Sequence, residues 1–251
     1  MATKKQDEWF QDAAFWDRFA PIMFDEQRWA EVPGVADGIE ALCGTGRSLA
    51  ILDQCCGLGR LSVELGLRGH RLTGVDITQS YLDAARESAQ DEGLSIEFIQ
   101  DDVRRFVRSQ SYDLVLNLYT SFGYFADPED DRQVVENAYE SLVPGGLYII
   151  ETLGKELAVR DYTEGEWFER SGAVVLTEFE PIQDWEYLKN RWILLQGTER
   201  FERTFLQRLY SATELKRLMV ERGFTSVALY GDWDRRPYDY RAQKMIVLGR
   251  K

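Results

Sequence analysis

Between Ile51 and Arg60 the chain reads Ile-Leu-Asp-Gln-Cys-Cys-Gly-Leu-Gly-Arg. An apolar run ends on a carboxylate, Asp53, and gives way to a loop of small residues that opens a helical pattern. Small residues let a backbone approach a ligand closely. The free N–H groups at the helix start favour an anionic group. A second apolar run ends on Asp76, within Thr73-Gly74-Val75-Asp76-Ile77, 17 residues after Gly59. A carboxylate there accepts two hydroxyl hydrogen bonds from a ribose. A third run ends on Asp101-Asp102-Val103, where a carboxylate accepts from the exocyclic amine of an adenine. Three successive strand ends thus supply a nest for a carboxyl group, a ribose acceptor and an adenine acceptor. The set describes an adenosine-bearing ligand.

Composition removes several other chemistries. The single histidine, His70, rules out His-based triads and multi-His metal sites, so no metal centre is expected. His70 precedes the second strand, away from the ligand edge, and reads as structural or exposed. Three cysteines, two of them adjacent (Cys55 and Cys56), speak against a disulfide framework and for a reducing cytoplasm. The net charge of −13 disfavours nucleic acid or an anionic membrane as partner. No apolar run approaches the roughly 20 residues that span a bilayer. Lys4 and Lys5 have no apolar core behind them, so the first dozen residues do not read as a secretory leader. At 251 residues, 44% hydrophobic, the chain suits one generous domain or a core with an insertion.

The elements that position these residues alternate. Residues 8–42 carry apolar positions at helical spacing, punctuated by Pro21 and Pro33-Gly34, and predict two or three helices. Strands are then expected at 49–52, 71–75, 96–99, 114–118 and 147–150, with helices at 60–67, 81–90 and 131–142, the last stopped by Pro144-Gly145-Gly146. Such alternation implies a parallel sheet covered on both faces. Residues 173–179, 188–196 and 200–210 read as consecutive strands, an antiparallel insertion of roughly three strands. Ser211 and Glu214 form a capping box for a helix that Gly223 stops. Strands at 227–230 and 244–248 close the sheet as an antiparallel hairpin. The expected fold is α/β: a doubly wound, mostly parallel seven-stranded sheet with a C-terminal hairpin and an antiparallel insertion acting as a lid. The expected division is a helical cap (1–44), a Rossmann-like core (45–152 and 208–251) and the insertion (153–207).

Those motifs resemble the class I S-adenosylmethionine-dependent methyltransferases. The pattern of that family, an acid, alternating glycines and a second acid, is similar to Asp53, Gly57, Gly59 and Asp76 here, and its third acidic position falls on Asp102. The stretches Asn117 to Tyr124 and Leu142 to Gly146 also resemble it. The likeness is greatest to small-molecule enzymes such as glycine, sarcosine and nucleotide-sugar N-methyltransferases. It implies S-adenosyl-L-methionine as cofactor, held by Trp16, Asp53, Cys55, Gly57, Gly59, Asp76, Ile77, Asp102, Val103, Asn117 and Leu118. One departure matters: Cys55 replaces the loop's first glycine, and the loop is expected to keep its path only if Cys55 has φ < 0.

Methyl transfer from a sulfonium is an in-line displacement with a neutral leaving group, so alignment dominates; good alignment supplies about 7–11 kcal/mol of the barrier. The acceptor is expected above the fourth strand's end, near Tyr119, Ser121 and Tyr124, under a cover drawn from Trp16, Phe19, Phe24, Trp167, Trp185 and Trp192. Arg208 and Tyr210 share one face of the last insertion strand and Arg203 takes the other. If the shared face points into the cleft, Arg208 binds a substrate carboxylate or phosphate, the equal alternative being a surface salt bridge; with Tyr119 and Tyr124 it makes the candidate catalytic set. The expected function is methylation of a small-molecule acceptor, an amine preferred over a hydroxyl, in the cytoplasm. Oligomeric state stays open. The alternatives are a nucleotide-dependent oxidoreductase, against which Ser62 stands at the fingerprint's third glycine position, and a silent S-adenosylmethionine-binding module.

Overall fold

The computed structural model describes residues 8–44 and 46–251. The reading of Lys4 and Lys5 and the first seven residues of the expected cap lie outside the described residues. A 3₁₀ turn (Trp9–Gln11) precedes α1 (Ala13–Met23), α2 (Glu26–Ala30) and α3 (Val32–Cys43). Neither proline motif breaks a helix. Pro21 sits inside α1, near its end, and forgoes one hydrogen bond to the preceding turn. Pro33 occupies the first turn of α3, where its missing N–H has no intrahelical partner to lose.

The core then runs β1 (Ala50–Gln54), α4 (Arg60–Leu67), β2 (Arg71–Asp76), α5 (Gln79–Asp91), β3 (Glu97–Gln100), β4 (Tyr112–Asn117), α6 (Pro128–Ser141) and β5 (Leu142–Thr152). β1 is buried from Ile51 onward because it pairs in parallel with β2 on one side and β4 on the other. After α7 (Lys155–Arg160) come β6 (Gly165–Arg170), β7 (Ala173–Ile182), β8 (Tyr187–Gln196) and β9 (Glu199–Arg208), then α8 (Ala212–Glu221), β10 (Ser226–Tyr230) and β11 (Met245–Arg250).

One sheet has the order β10-β11-β5-β4-β1-β2-β3 and the other β6-β7-β8-β9. The larger is parallel except for β10 and β11, which pair antiparallel with each other and onto β5. The strand order reverses between β1 and β4, the place where such sheets open a crevice at their carboxyl ends. The expected seven-stranded sheet and closing hairpin are therefore present, and so is the antiparallel insertion.

Three expectations need correction. The insertion has four strands, β6 being the addition; most of its residues are exposed and carry little apolar alternation to read. A short helix, α7, also precedes it. Pro144-Gly145-Gly146 does not stop a helix. α6 ends at Ser141, and those residues bulge within β5, whose pairing with β4 jumps from Tyr112↔Leu142 to Leu114↔Leu147. The Gly145 N–H bonds the Lys251 carbonyl, and the Lys251 N–H bonds that of Gly146, which ties the bulge to the C-terminus.

The Ser211–Glu214 capping box is formed in both directions. Among the described residues no helix is long and apolar enough to cross a membrane. Ser211→Ala removes the cap and is expected to cost about 1 kcal/mol, a fall in Tm of roughly 2–4 °C. Differential scanning calorimetry checks this.

Candidate functional site

The carboxyl ends of β1, β2, β3 and β4 open into a cavity of about 780 Å³, covered by the N-terminal helices and by the inner face of β6–β9. Asp76 organises its floor. The Gly57 N–H donates to one carboxylate oxygen (2.8 Å) and the Thr78 N–H to the other (2.8 Å). One side chain therefore fixes the β1–α4 loop and the start of α5 together. Burial pushes Asp76 above the ordinary carboxylate value, opposed by these N–H donors.

Asp53 lies behind the same loop. Burial pushes it up to about 7, and Ser62 Oγ donates to it at 2.6 Å. Ser62 thus has a structural role in place of a glycine's. Asp102, just after β3, also lines the cavity. Arg104 grips it through two nitrogens, with contacts from 2.6 to 3.0 Å, and its hydrogen bonds hold Asp102 below the usual carboxylate range despite burial.

Cys55 departs from the sequence-based expectation. Its φ is +58°, the left-handed backbone that favours glycine, so the φ < 0 expected of it does not hold. A residue with a Cβ is strained there by about 1–2 kcal/mol. Neighbouring bonds hold the loop: Cys56 N–H to the Val75 carbonyl at 3.1 Å, and Gly59 N–H to that of Cys56 at 3.0 Å. Burial pushes both thiols up, so neither is a ready nucleophile.

Of the expected cofactor residues, Trp16, Asp53, Cys55, Gly57, Asp76, Ile77, Asp102, Val103 and Leu118 line the cavity. Gly59 and Asn117 do not. Gly59 is required by packing: its φ is +69°, and a Cβ there would meet Ala85 Cβ at 2.7 Å. Asn117 is buried in β4, with its amide near Gln54 at 3.5 Å.

Tyr119, Ser121 and Tyr124 all line the cavity. Tyr119 and Thr120 have φ of +57° and +62°, a strained turn directly after β4. Glu151, at the end of β5, holds it. Its carboxylate accepts from the Tyr119 N–H at 2.7 Å, and its carbonyl accepts from the Thr120 N–H at 3.1 Å. Sequence reasoning missed Glu151, although it ends an apolar run as Asp53 and Asp76 do and the same signal could have found it. The Arg60 guanidinium lies 4.3 Å from the centre of the Tyr119 ring and donates to the Arg28 carbonyl. It puts a cation at the loop end of the cavity. Burial pushes the Tyr119 phenol up to about 12 and raises Tyr124 further.

Arg208 lies elsewhere. It contacts Glu186, the Tyr187 hydroxyl and, at 3.7 Å, Asp131. The parity of β9 explains this: Phe205 and Gln207 face the cavity, so Arg208 and its even-numbered neighbours face away. Among the aromatics expected as cover, Trp16, Phe24 and Trp192 line the cavity; Phe19 is core, Trp167 is exposed and Trp185 stacks edge-on against Tyr162. Sequence reasoning missed Trp9, which stacks on Phe205 at 4.1 Å and meets Tyr124 at 4.7 Å, joining the insertion to the core. His70 is structural, as expected: it accepts from the Leu49 N–H at 3.1 Å and contacts Glu40 at 3.2 Å.

Comparison with known proteins agrees with this geometry. Residues 51–146 match a family model described as a methyltransferase domain. A ubiquinone biosynthesis O-methyltransferase of Rickettsia canadensis is 28% identical over 107 residues, 43% of this chain and 44% of the relative. The chain spans less than half the length of that curated relative. Among solved structures, an S-adenosylmethionine-dependent methyltransferase from Clostridium acetobutylicum superposes with a TM-score of 0.77 at 15% identity, covering 94% of this chain and 98% of the other. An amino pentose methyltransferase from Micromonospora echinaspora, solved with S-adenosylmethionine bound, gives 0.68 at 19% identity over the whole of both chains. The fold is that of the S-adenosylmethionine-dependent methyltransferases.

Two outcomes follow. Cys55→Gly relieves the backbone strain and is expected to raise Tm by roughly 2–4 °C with the loop unchanged; a fall in scanning fluorimetry would show that the thiol's packing outweighs the strain. Asp131 is pushed up to about 7 by burial, against the pull of the Tyr210 hydroxyl and Arg208. Its folded-state value exceeds its unfolded one, so its contribution is full below about pH 4 and is lost as pH rises through about 7. Asp131→Asn should therefore raise Tm over the unsubstituted chain more at pH 8 than at pH 5, which paired thermal melts would measure.

Proposed function

We propose that this chain is an S-adenosylmethionine-dependent methyltransferase acting on a small-molecule acceptor, with an amine preferred over a hydroxyl. The observation that carries the reading is Asp76. It stands at the end of β2, lines the cavity and fixes the β1–α4 loop through its backbone. S-adenosylmethionine, when bound, supplies an electrophilic methyl group on a sulfonium sulfur.

The residues present fit that molecule. Asp76 would accept from the ribose hydroxyls, and Asp102, flanked by Val103, from the adenine amine. The Cys55–Gly57 loop would receive the methionine moiety, with Arg60 as counter-charge to its carboxylate. Trp16 and the cap would close over the nucleoside. The three expected regions then differ in role. The core (45–152 and 208–251) holds the donor, the cap (1–44) covers it, and the insertion (153–207) faces the acceptor.

The preference for an amine rests on which bases are present. Tyr119 and Tyr124 are phenols pushed up by burial, the two cysteines are raised likewise, and His70 is engaged at the far edge of the sheet. Asp53 commits one oxygen to Ser62 behind the loop. A neutral amine carries its own lone pair and needs only to be aligned, whereas an alcohol needs a base matched to it. Tyr119, Ser121 and Tyr124 would do the aligning, and the aromatic walls would exclude water. Amino-sugar methylation by the Micromonospora enzyme is compatible with this preference.

Calorimetry with S-adenosylhomocysteine is expected to show one site, and Asp76→Ala should weaken it at least about tenfold, on the order of 1.4 kcal/mol. A transfer assay with tritiated methyl donor should label amine acceptors ahead of hydroxyl and carboxyl ones. Absence of binding by the unsubstituted chain sinks the reading; binding without transfer to any acceptor class leaves the silent module in its place.

A further inference from the structure

The cavity-facing side of β6–β9 is arranged in transverse rows. Glu166, Thr177, Trp192 and Arg203 stand side by side across the four strands; Phe179, Asn190 and Phe205 form the next row, and Leu188 pairs with Gln207 beyond. Within these rows Thr177 Oγ1, Trp192 Nε1 and Gln207 Nε2 are shielded from solvent and have no hydrogen-bond partner. Thr177 and Gln207 are only 4% and 7% exposed. Trp9 Nε1, brought by the cap onto Phe205, is in the same condition.

Buried polar groups are as a rule paired, and a cluster of orphans on one cavity wall calls for a partner that does not belong to the chain. The charged groups of this wall are engaged or outside it. Arg203 faces Asp12 at 3.6 Å, Arg170 faces Asp25 at 3.1 Å, and Glu166 is exposed at the rim. The interior of the wall is neutral and rich in donors, which stand on either side of the row that carries the rings of Phe179 and Phe205.

We infer that this wall recognises the methyl acceptor, and that it selects uncharged cyclic molecules carrying carbonyl or hydroxyl oxygens. This rests on the methyltransferase reading and adds the substrate class to it. Oxygens of the ring substituents accept from Thr177, Trp192 and Gln207 while the ring lies against the aromatic side chains. An anionic substituent would be desolvated here without a counter-charge, and a cationic one would meet N–H donors in place of acceptors. The nitrogen to be methylated sits at the opposite end of the molecule, toward Tyr119, Ser121 and Tyr124.

The test uses benzamide, benzoate and benzylamine at pH 7, which share a ring and differ in charge, added to the full chain saturated with S-adenosylhomocysteine. Ligand-observed NMR titration is expected to show benzamide binding at least tenfold more tightly than the other two. The double variant Thr177→Val/Gln207→Leu should weaken benzamide at least tenfold and leave S-adenosylhomocysteine affinity within twofold. If that variant does not fold, Trp192→Phe removes one N–H alone and should weaken benzamide several-fold under the same measurement. Preference for benzoate or benzylamine, insensitivity of benzamide to these substitutions, or no binding of any of the three overturns the inference. Failure of S-adenosylhomocysteine itself to bind is a separate outcome and falls on the methyltransferase reading.

Discussion

One buried carboxylate accepting from two backbone N–H groups is the constraint on which the site depends. Asp76 holds Gly57 on one oxygen and Thr78 on the other, so the loop after β1 and the start of α5 cannot move independently. Both structures at the crevice therefore inherit their position from the end of β2, itself paired on both sides in a sheet buried on both faces. Desolvating a carboxylate is unfavourable unless hydrogen bonds replace the lost water. The raised value of Asp76 is the remainder of that balance. A ribose bringing further donors would shift it toward the ionised form.

The same device recurs at the end of β5. Tyr119 and Thr120 occupy left-handed backbone that side chains disfavour, and Glu151 meets both N–H groups through its carboxylate and its carbonyl. Strain of this kind persists only where surrounding contacts over-determine it. Here it turns the chain sharply at the crevice, so that Tyr119, Ser121 and Tyr124 arrive at one cavity within a few residues. Strand-end acids thus serve as braces for loops.

What could be read from the sequence divides along a physical line. Strand–helix alternation and the acids at strand ends are local signals, and α4 lies where periodicity placed it, at Arg60–Leu67. The conformation of Cys55 is decided by neighbours distant in sequence: Val75 and Asp76 tie down the loop, and the strain is absorbed there. Arg208 shows the other limit. Alternation along β9 was legible, but which of its two faces meets the cavity depends on how the second sheet docks, and no single strand records that. β6 escaped notice because its residues are largely exposed. Trp9 escaped because it falls in the 3₁₀ turn that opens the 8–42 stretch, outside the helices that its spacing predicts, although its ring joins the insertion to the core.

Two sheets of different character meet across one cavity, and the difference bears on how the chemistry is divided. The parallel sheet contributes carboxylates and backbone at its strand ends, a set suited to a polar nucleoside. The antiparallel sheet contributes rings and neutral donors along a face. Because the cap's Trp9 stacks on Phe205 of one sheet and touches Tyr124 beside the other, displacement of the cap would disturb both walls together. Tyr81 strengthens that coupling by donating its hydroxyl to the Trp16 carbonyl at 2.6 Å, and Ser80 by bonding Asp17 at 2.7 Å. Ser171 reaches the cap from the insertion, donating to the Pro21 carbonyl at 2.7 Å. The cap is therefore pinned from α5 and from the β6–β7 turn at once.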